Sequence, residues 1–254
     1  MCLILFAYKI HPAYRLILAA NRDEYFDRPS QIADFWTDDP HVLGGRDLKE
    51  MGTWLGVSKD GRFAGITNYR DPSSWKSQAP SRGRLVSDYL TKHVNAEAYL
   101  AEIRPKTSVY NGFNLLLGDQ EDLWVFSNRG TAEKLKPGVY GLSNHLLDTP
   151  WPKVKRGKRL LKGALEKKGD DLDEALFQLL ADRHVPPDHQ LPDTGVSLEW
   201  ERMLSPIFIA SPVYGTRSST ILLVAKNRRI RLVERVFDEK NKMVASSRFS
   251  FMQE

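Results

Sequence analysis

Apolar residues fill residues 2–8 and 15–20 almost without interruption, and a short polar turn around His11-Pro12 separates the two runs. Apolar character at every position, rather than at alternate ones, predicts strands buried on both faces, here paired as a hairpin. Beyond Asp27 the punctuation by Pro29, Pro40, Gly44, Gly45 and Gly52 predicts a loop. Strand patterning resumes at 53–57 and 63–67 around a turn at Lys59-Asp60-Gly61.

The period then changes. Leu85, Val86, Tyr89 and Leu90 make one helical face with Ser81 as its expected cap, and Asn95 can cap a second helix carrying Tyr99, Leu100 and Ile103. Residues 113–117 and 123–126 form another hairpin pattern around Gly118-Asp119, with short strands near 132–135 and 139–142. A basic amphipathic helix is predicted over 152–168, with Val154, Leu161 and Leu165 inward, and a shorter one over 173–180. Strands at 216–225 and 229–237 close the chain, and 246–254 offers only Phe249 and Phe251 for packing. No linker, repeat or low-complexity segment intervenes, so the expectation is a single domain over 1–254, α+β, with two sheets covered by helices.

Composition narrows the class. Apolar residues make up 41% of 254, ample for a core, and the net charge of +5 is spread along the chain. That excess suits a small anionic ligand at least as well as nucleic acid, and no nucleic-acid-binding motif is present, so no nucleic-acid partner is expected. One cysteine excludes an internal disulfide. No apolar run approaches the roughly 20 residues of a membrane span. The first apolar run lacks a preceding basic region, unlike a signal peptide, and the expected location is cytoplasmic. The basic residues of 152–168 could contact phosphates or an anionic membrane, although a solvated helix face explains them more simply. The six histidines show no metal-site spacing, and no metal site or required cofactor is expected.

Cys2 is the one position whose location suggests a mechanism. Removal of Met1 would leave a residue with both a thiol and a free α-amine, whose unperturbed pKa values of about 8.5 and 7.7 to 8.0 make proton transfer between them nearly balanced. The plainer reading is a small hydrophobe in a buried strand. Asn21-Arg22-Asp23-Glu24 places four polar residues just after the second apolar run. Either the strand enters solvent there, or the hairpin returns these residues to the side of Cys2. In the second case Asp23 could hold a protonated amine, while Arg22 could lower the thiol pKa or bind a substrate carboxylate.

These segments resemble the NRDE family, known in animals as the transport and Golgi organisation protein 2 family. The likeness spans nearly the whole chain through Cys2-Leu3, Asn21-Arg22-Asp23-Glu24, Gly44-Gly45-Arg46-Asp47, Gly52-Thr53-Trp54-Leu55-Gly56, Thr67-Asn68-Tyr69-Arg70-Asp71-Pro72 and Ser81-Arg82-Gly83. It continues through Tyr110-Asn111-Gly112-Phe113-Asn114, Gly141-Leu142-Ser143-Asn144, Leu147-Asp148-Thr149-Pro150-Trp151-Pro152-Lys153 and Tyr214-Gly215-Thr216-Arg217-Ser218-Ser219-Thr220. Met51 departs from the glycine that many relatives carry. More distantly, the chain is similar to the penicillin V acylase and bile-salt hydrolase group. That likeness implies a four-layer αββα sandwich of two mainly antiparallel sheets, the N-terminal-nucleophile hydrolase fold, with a mature N-terminal cysteine.

By motif position the resemblance implies a catalytic set of Cys2, Asp23, Asn68, Asn144 and Arg217. Asn68 or Asn144 would donate to a tetrahedral oxyanion, an interaction worth about 3 kcal/mol in other enzymes. Asn21, Arg22, Glu24, Arg46, Tyr69 and Arg70 are the candidate substrate-binding residues, although Arg22 is displaced by spacing from its counterpart in the acylase group. Two functions are therefore expected: a cysteine amidase attacking a non-peptide C–N bond, or a non-catalytic carrier for haem or fatty-acyl lipid, as the family's links to haem trafficking and lipid homeostasis imply. The partner in either case is a small molecule (amide, acyl lipid or haem), with peripheral membrane contact allowed.

Overall fold

A computed structural model describes residues 2–254, Cys2 through its backbone alone. Its strands are β1 (Cys2–Tyr8), β2 (Tyr14–Tyr25), β3 (Ser30–Phe35), β4 (Val42–Asp47), β5 (Leu55–Ser58), β6 (Phe63–Asn68), β7 (Phe113–Gly118), β8 (Leu123–Ser127), β9 (Ala132–Lys134), β10 (Gly138–Leu142), β11 (Tyr214–Ala225), β12 (Arg229–Phe237) and β13 (Met243–Met252). The helices are α1 (Gly83–Thr91), α2 (Ala96–Ile103), α3 (Pro152–Ala164), α4 (Gly169–Leu180) and α5 (Leu198–Leu204). One sheet runs β10-β1-β2-β11-β12-β13 and the other β3-β4-β5-β6-β7-β8-β9, and every pairing is antiparallel.

Three apolar layers hold the sandwich. Ile4, Phe6, Leu16 and Leu18 meet Leu43, Val57 and Leu116 between the sheets. Leu3, Leu5 and Ile17 face α3 and α4, while Leu85, Tyr89 and Leu100 of α1 and α2 cover the far side of the second sheet. The doubly apolar hairpin is thus explained, since β1 and β2 face a sheet on one side and helices on the other. Gly157 lets α3 come close: a Cβ there would lie 2.5 Å from a Leu5 methyl carbon. Glu234 of β12 fastens one sheet to the other, its Oε1 accepting from the Ala33 amide at 2.7 Å and its Oε2 from the Thr220 hydroxyl at 2.8 Å.

Several local expectations are corrected. Asn21-Arg22-Asp23-Glu24 does not follow the second strand; it is part of β2. The predicted loop after Asp27 contains β3 and β4, and the glycines that argued against a strand serve close packing there. A Cβ at Gly45 would lie 2.2 Å from the Trp54 ring. Ser81 is not the cap of α1; Arg82 occupies that position without a side-chain capping bond, its guanidinium donating instead to the Gly112 carbonyl at 3.0 Å, whereas Asn95 does cap α2, its Oδ1 accepting from the Ala98 amide at 2.8 Å. On α3, Lys153 is buried beside Val154 and Leu161, while Leu165 caps the end half-buried. The chain ends on a third strand, β13, whose Phe249 and Phe251 pack on Phe35. No described helix is long and apolar enough to cross a membrane.

Candidate functional site

The hairpin register sets the site. Cys2 pairs with Arg22 across β1 and β2, Thr216 of β11 pairs with Asp23, and Ser218 with Arg22, so Arg217 is the extra residue of a β-bulge. Asn21, Arg22 and Asp23 are 1%, 5% and 2% exposed. Three successive polar side chains at this depth each require partners.

Asp23 accepts a 2.7 Å hydrogen bond from the Thr216 hydroxyl, which in turn accepts from the Ile209 amide at 2.9 Å. The Tyr214 hydroxyl donates to the Asp23 carbonyl at 3.0 Å. Burial pushes the Asp23 carboxyl above its ordinary range, and the charge of Lys153 and the Thr216 bond act against that rise. Lys153 donates to the Leu204 carbonyl at 2.9 Å, so the first turn of α3 and the end of α5 meet behind Asp23.

Arg22 lies on a cavity of about 350 Å³, which Asp23, Glu24, Asn68, Trp54 and Arg82 also line. Its guanidinium stacks on Trp54 at 4.2 Å, and its one hydrogen bond among the described residues is a long 3.4 Å contact to Ser30. Opposite it, Asn68 ends β6, and the side chain of Asn144 donates to the Asn68 carbonyl at 3.0 Å. Asn68 therefore faces the cavity while Asn144, fully buried, braces it from behind. Arg28 and Asp47 form a 2.6 Å ion pair on the rim.

The structure separates the remaining candidates. Asn21 is turned to the helical layer, donating to the Leu180 and Ile207 carbonyls at 2.9 and 2.8 Å and accepting from Ser219 at 2.6 Å. Arg217 closes the turn after β2 by donating to the carbonyls of Tyr25 and Arg28 at 2.7 and 3.0 Å, outside the cavity lining. Arg46 stacks on Trp36 at 4.0 Å and pairs with Asp38 at 2.7 Å, also outside it. Arg70 binds Glu201 of α5 at 2.6 Å in a buried ion pair and stacks on Trp151 at 5.0 Å. Tyr69 and Arg70 line a second cavity of about 420 Å³, which shares Asn68, Trp75, Arg82 and Asn111 with the first. The expected role of the Cys2 side chain lies outside the described residues.

Sequence reasoning gave no site role to Trp54, Arg82 or Glu201, and read Lys153 only as one of the basic residues of the 152–168 helix. Trp54, Arg82 and Lys153 stand inside the segments that carry the family resemblance, which was the available signal; Glu201 carried none, because its partner is 131 residues away. No group of three His, Cys, Asp or Glu side chains suited to a metal occurs among the described residues.

A family model described as Transport and Golgi organisation 2 matches residues 1–239. The Transport and Golgi organization protein 2 homolog of Homo sapiens is 39% identical over 263 residues, covering 95% of each chain. Transport and Golgi organization protein 2 of Drosophila melanogaster is 30% identical, covering 92% of this chain and 91% of that protein. Among solved structures, the Caenorhabditis elegans N-acylethanolamine-hydrolyzing acid amidase ortholog superposes with a TM-score of 0.53 at 12% identity, covering 87% of this chain and 92% of that one. The C2A mutant of the conjugated bile acid hydrolase of Clostridium perfringens gives 0.52 at 8% identity, covering 100% and 97%.

Proposed function

The chain belongs to the transport and Golgi organisation 2 family and has the N-terminal-nucleophile hydrolase fold; from that premise we propose that it is a cysteine amidohydrolase cleaving a non-peptide C–N bond through a Cys2 thioester. The observation that carries the reading is the strand register, which sets the backbone of Cys2 opposite Arg22 and one position from the buried Asp23, two residues that line a polar cavity together with Asn68.

In this mechanism the α-amine freed by loss of Met1 takes the thiol proton as sulfur attacks the amide carbon, forming the C–S bond and placing negative charge on the carbonyl oxygen. The Asn68 side-chain amide donates to that oxygen. The ammonium then returns its proton to the amide nitrogen as the C–N bond breaks, the amine leaves, and Cys2 holds the acyl group. Water, deprotonated by the same α-amine, attacks the thioester, the C–S bond breaks, and the carboxylic acid and thiol are restored. Asp23 holds the ammonium between these steps, and the Arg22 guanidinium favours the thiolate. Asn144 acts through Asn68 and is a positioning residue. Arg217, by tying the turn after β2, positions Arg22 and Glu24.

The test is acyl trapping. Protein lacking Met1 is exposed to a panel of N-acyl amides and read by intact mass under rapid quench, with Cys2→Ala in parallel. The reading expects an acyl mass on the native protein and none on the variant. Saturable binding of haem or a fatty-acyl ligand with no acyl adduct and no product would replace it with the carrier function.

A further inference from the structure

The second cavity is lined by one end of a hydrogen-bonded chain that the amidase reading does not use. Tyr69 lines it, with Trp75 at 65% exposure and Pro72 beside it, and the Tyr69 hydroxyl lies 2.8 Å from His145 Nε2. His145 Nδ1 lies 2.9 Å from the Thr149 hydroxyl, which donates its proton to the Leu146 carbonyl at 2.8 Å. The His145 ring packs at a tilt against Tyr69, 4.8 Å away at 36°, and against Trp151, 5.9 Å away at 46°, which restricts its plane.

Proton counting orients the chain. A hydroxyl has one hydrogen, and that of Thr149 is spent on Leu146, so toward His145 it is an acceptor and Nδ1 carries the proton. A neutral imidazole then has Nε2 as its acceptor, and Tyr69 donates to it. Burial holds His145 below its ordinary value and Tyr69 above its own, which keeps the imidazole neutral and the phenol protonated at pH 7. With its hydrogen committed inward, the Tyr69 oxygen has only lone pairs to offer a ligand.

We propose that this cavity is a recognition subsite for a ligand group that donates a hydrogen bond, such as an N–H or hydroxyl carried on a flat apolar frame, with Tyr69 as the acceptor and Trp75 as the platform. The neighbouring charges are engaged by protein groups and do not select a charged group in its place: Arg70 is paired with Glu201 at 2.6 Å, Asp71 with Arg129 at 3.5 Å, and Arg82 donates to the Gly112 carbonyl at 3.0 Å. Occupancy requires no turnover, so the subsite stands whether or not Cys2 is acylated.

Indole and 1-methylindole serve as the probe pair, since they differ only in the donor and simple apolar burial would favour the methylated ring. Titrations at pH 7 are followed at the Trp75 side-chain resonance by NMR. Indole should bind about fivefold more tightly, the worth of one net hydrogen bond. Tyr69→Phe should remove that preference, and Thr149→Val, which frees Nδ1 and lets Nε2 donate to Tyr69, should reduce it below about twofold. Ring-nitrogen shifts of His145 should show a protonated Nδ1 and a bare Nε2 in the native protein. Equal or tighter binding of 1-methylindole, no response at Trp75, or a protonated Nε2 would each overturn the subsite.

Discussion

The two halves of β2 are buried alike and built differently. Leu16, Ile17, Leu18 and Ala19 fill two apolar layers, whereas Asn21, Arg22 and Asp23, at equal depth, are polar. The first half gains stability in proportion to the apolar area it removes from water. The second half gains little, because each buried polar group must recover in hydrogen bonds what it loses in hydration. Within that half the recovery is uneven: Asn21 is fully satisfied by protein partners, while Arg22 makes one long bond and a ring contact at a cavity wall. Groups satisfied internally hold the fold, and groups left facing a cavity are available to a ligand.

The largest expected effect lies in the apolar half. Leu18→Ala should cost about 2 to 5 kcal/mol in urea unfolding, the range for a leucine truncated in a packed core. Asn21→Ala should follow at about 2 to 3 kcal/mol, because it leaves the Leu180 and Ile207 carbonyls and the Ser219 hydroxyl without their partner. A loss below about 0.5 kcal/mol would show that Asn21 is not the structural member of the pair.

Arg22→Met should divide the readouts. Its unfolding free energy should stay within about 1 kcal/mol of the native protein, while alkylation of the chain's single cysteine at pH 7 should slow roughly tenfold as the thiol pKa rises. An unchanged alkylation rate would move Arg22 into the structural class with Asn21.

The smallest effect concerns Glu234. Burial raises its carboxyl above the ordinary range, against its bonds from Ala33 and Thr220, so the folded state favours the protonated form. The stability this contributes is present below the ordinary carboxylate range and lost as pH rises through the elevated folded value. Glu234→Gln should flatten that slope and equal or exceed the native protein in thermal midpoint at pH 8. A native midpoint that does not fall over that interval would contradict the assignment.

Much of this contrast was legible in the sequence. The apolar hairpin was evident because strands covered on both faces need apolar residues at every position, and the alternation of strand and helix patterns gave two sheets covered by helices, whereas the αββα order of the layers was implied by the family resemblance. The place of Asn21 to Glu24 within β2 was hidden because the partners that admit them to a buried strand, Leu180, Ile207, Thr216 and Ser219, lie far along the chain. β3 and β4 were hidden by glycines whose purpose, room for the Trp54 ring at Gly45, exists only in the assembled sheet. Lys153 was read as part of a solvated face, since helical periodicity marks apolar residues and not a lysine whose ammonium reaches the Leu204 carbonyl. The candidate site divided in the same way: Arg22, Asp23, Glu24 and Asn68 converge on one cavity and Tyr69 and Arg70 on its neighbour, while Asn21, Arg46 and Arg217 are engaged by protein partners outside both.

The central claim is that Cys2 acts as an N-terminal nucleophile, and mass spectrometry of protein from its native host, with fragmentation of the N-terminus, tests it most directly. The account predicts a chain shortened by Met1 with an unmodified α-amine on Cys2. Quantitative retention of Met1, or a blocked amine on Cys2, would contradict it.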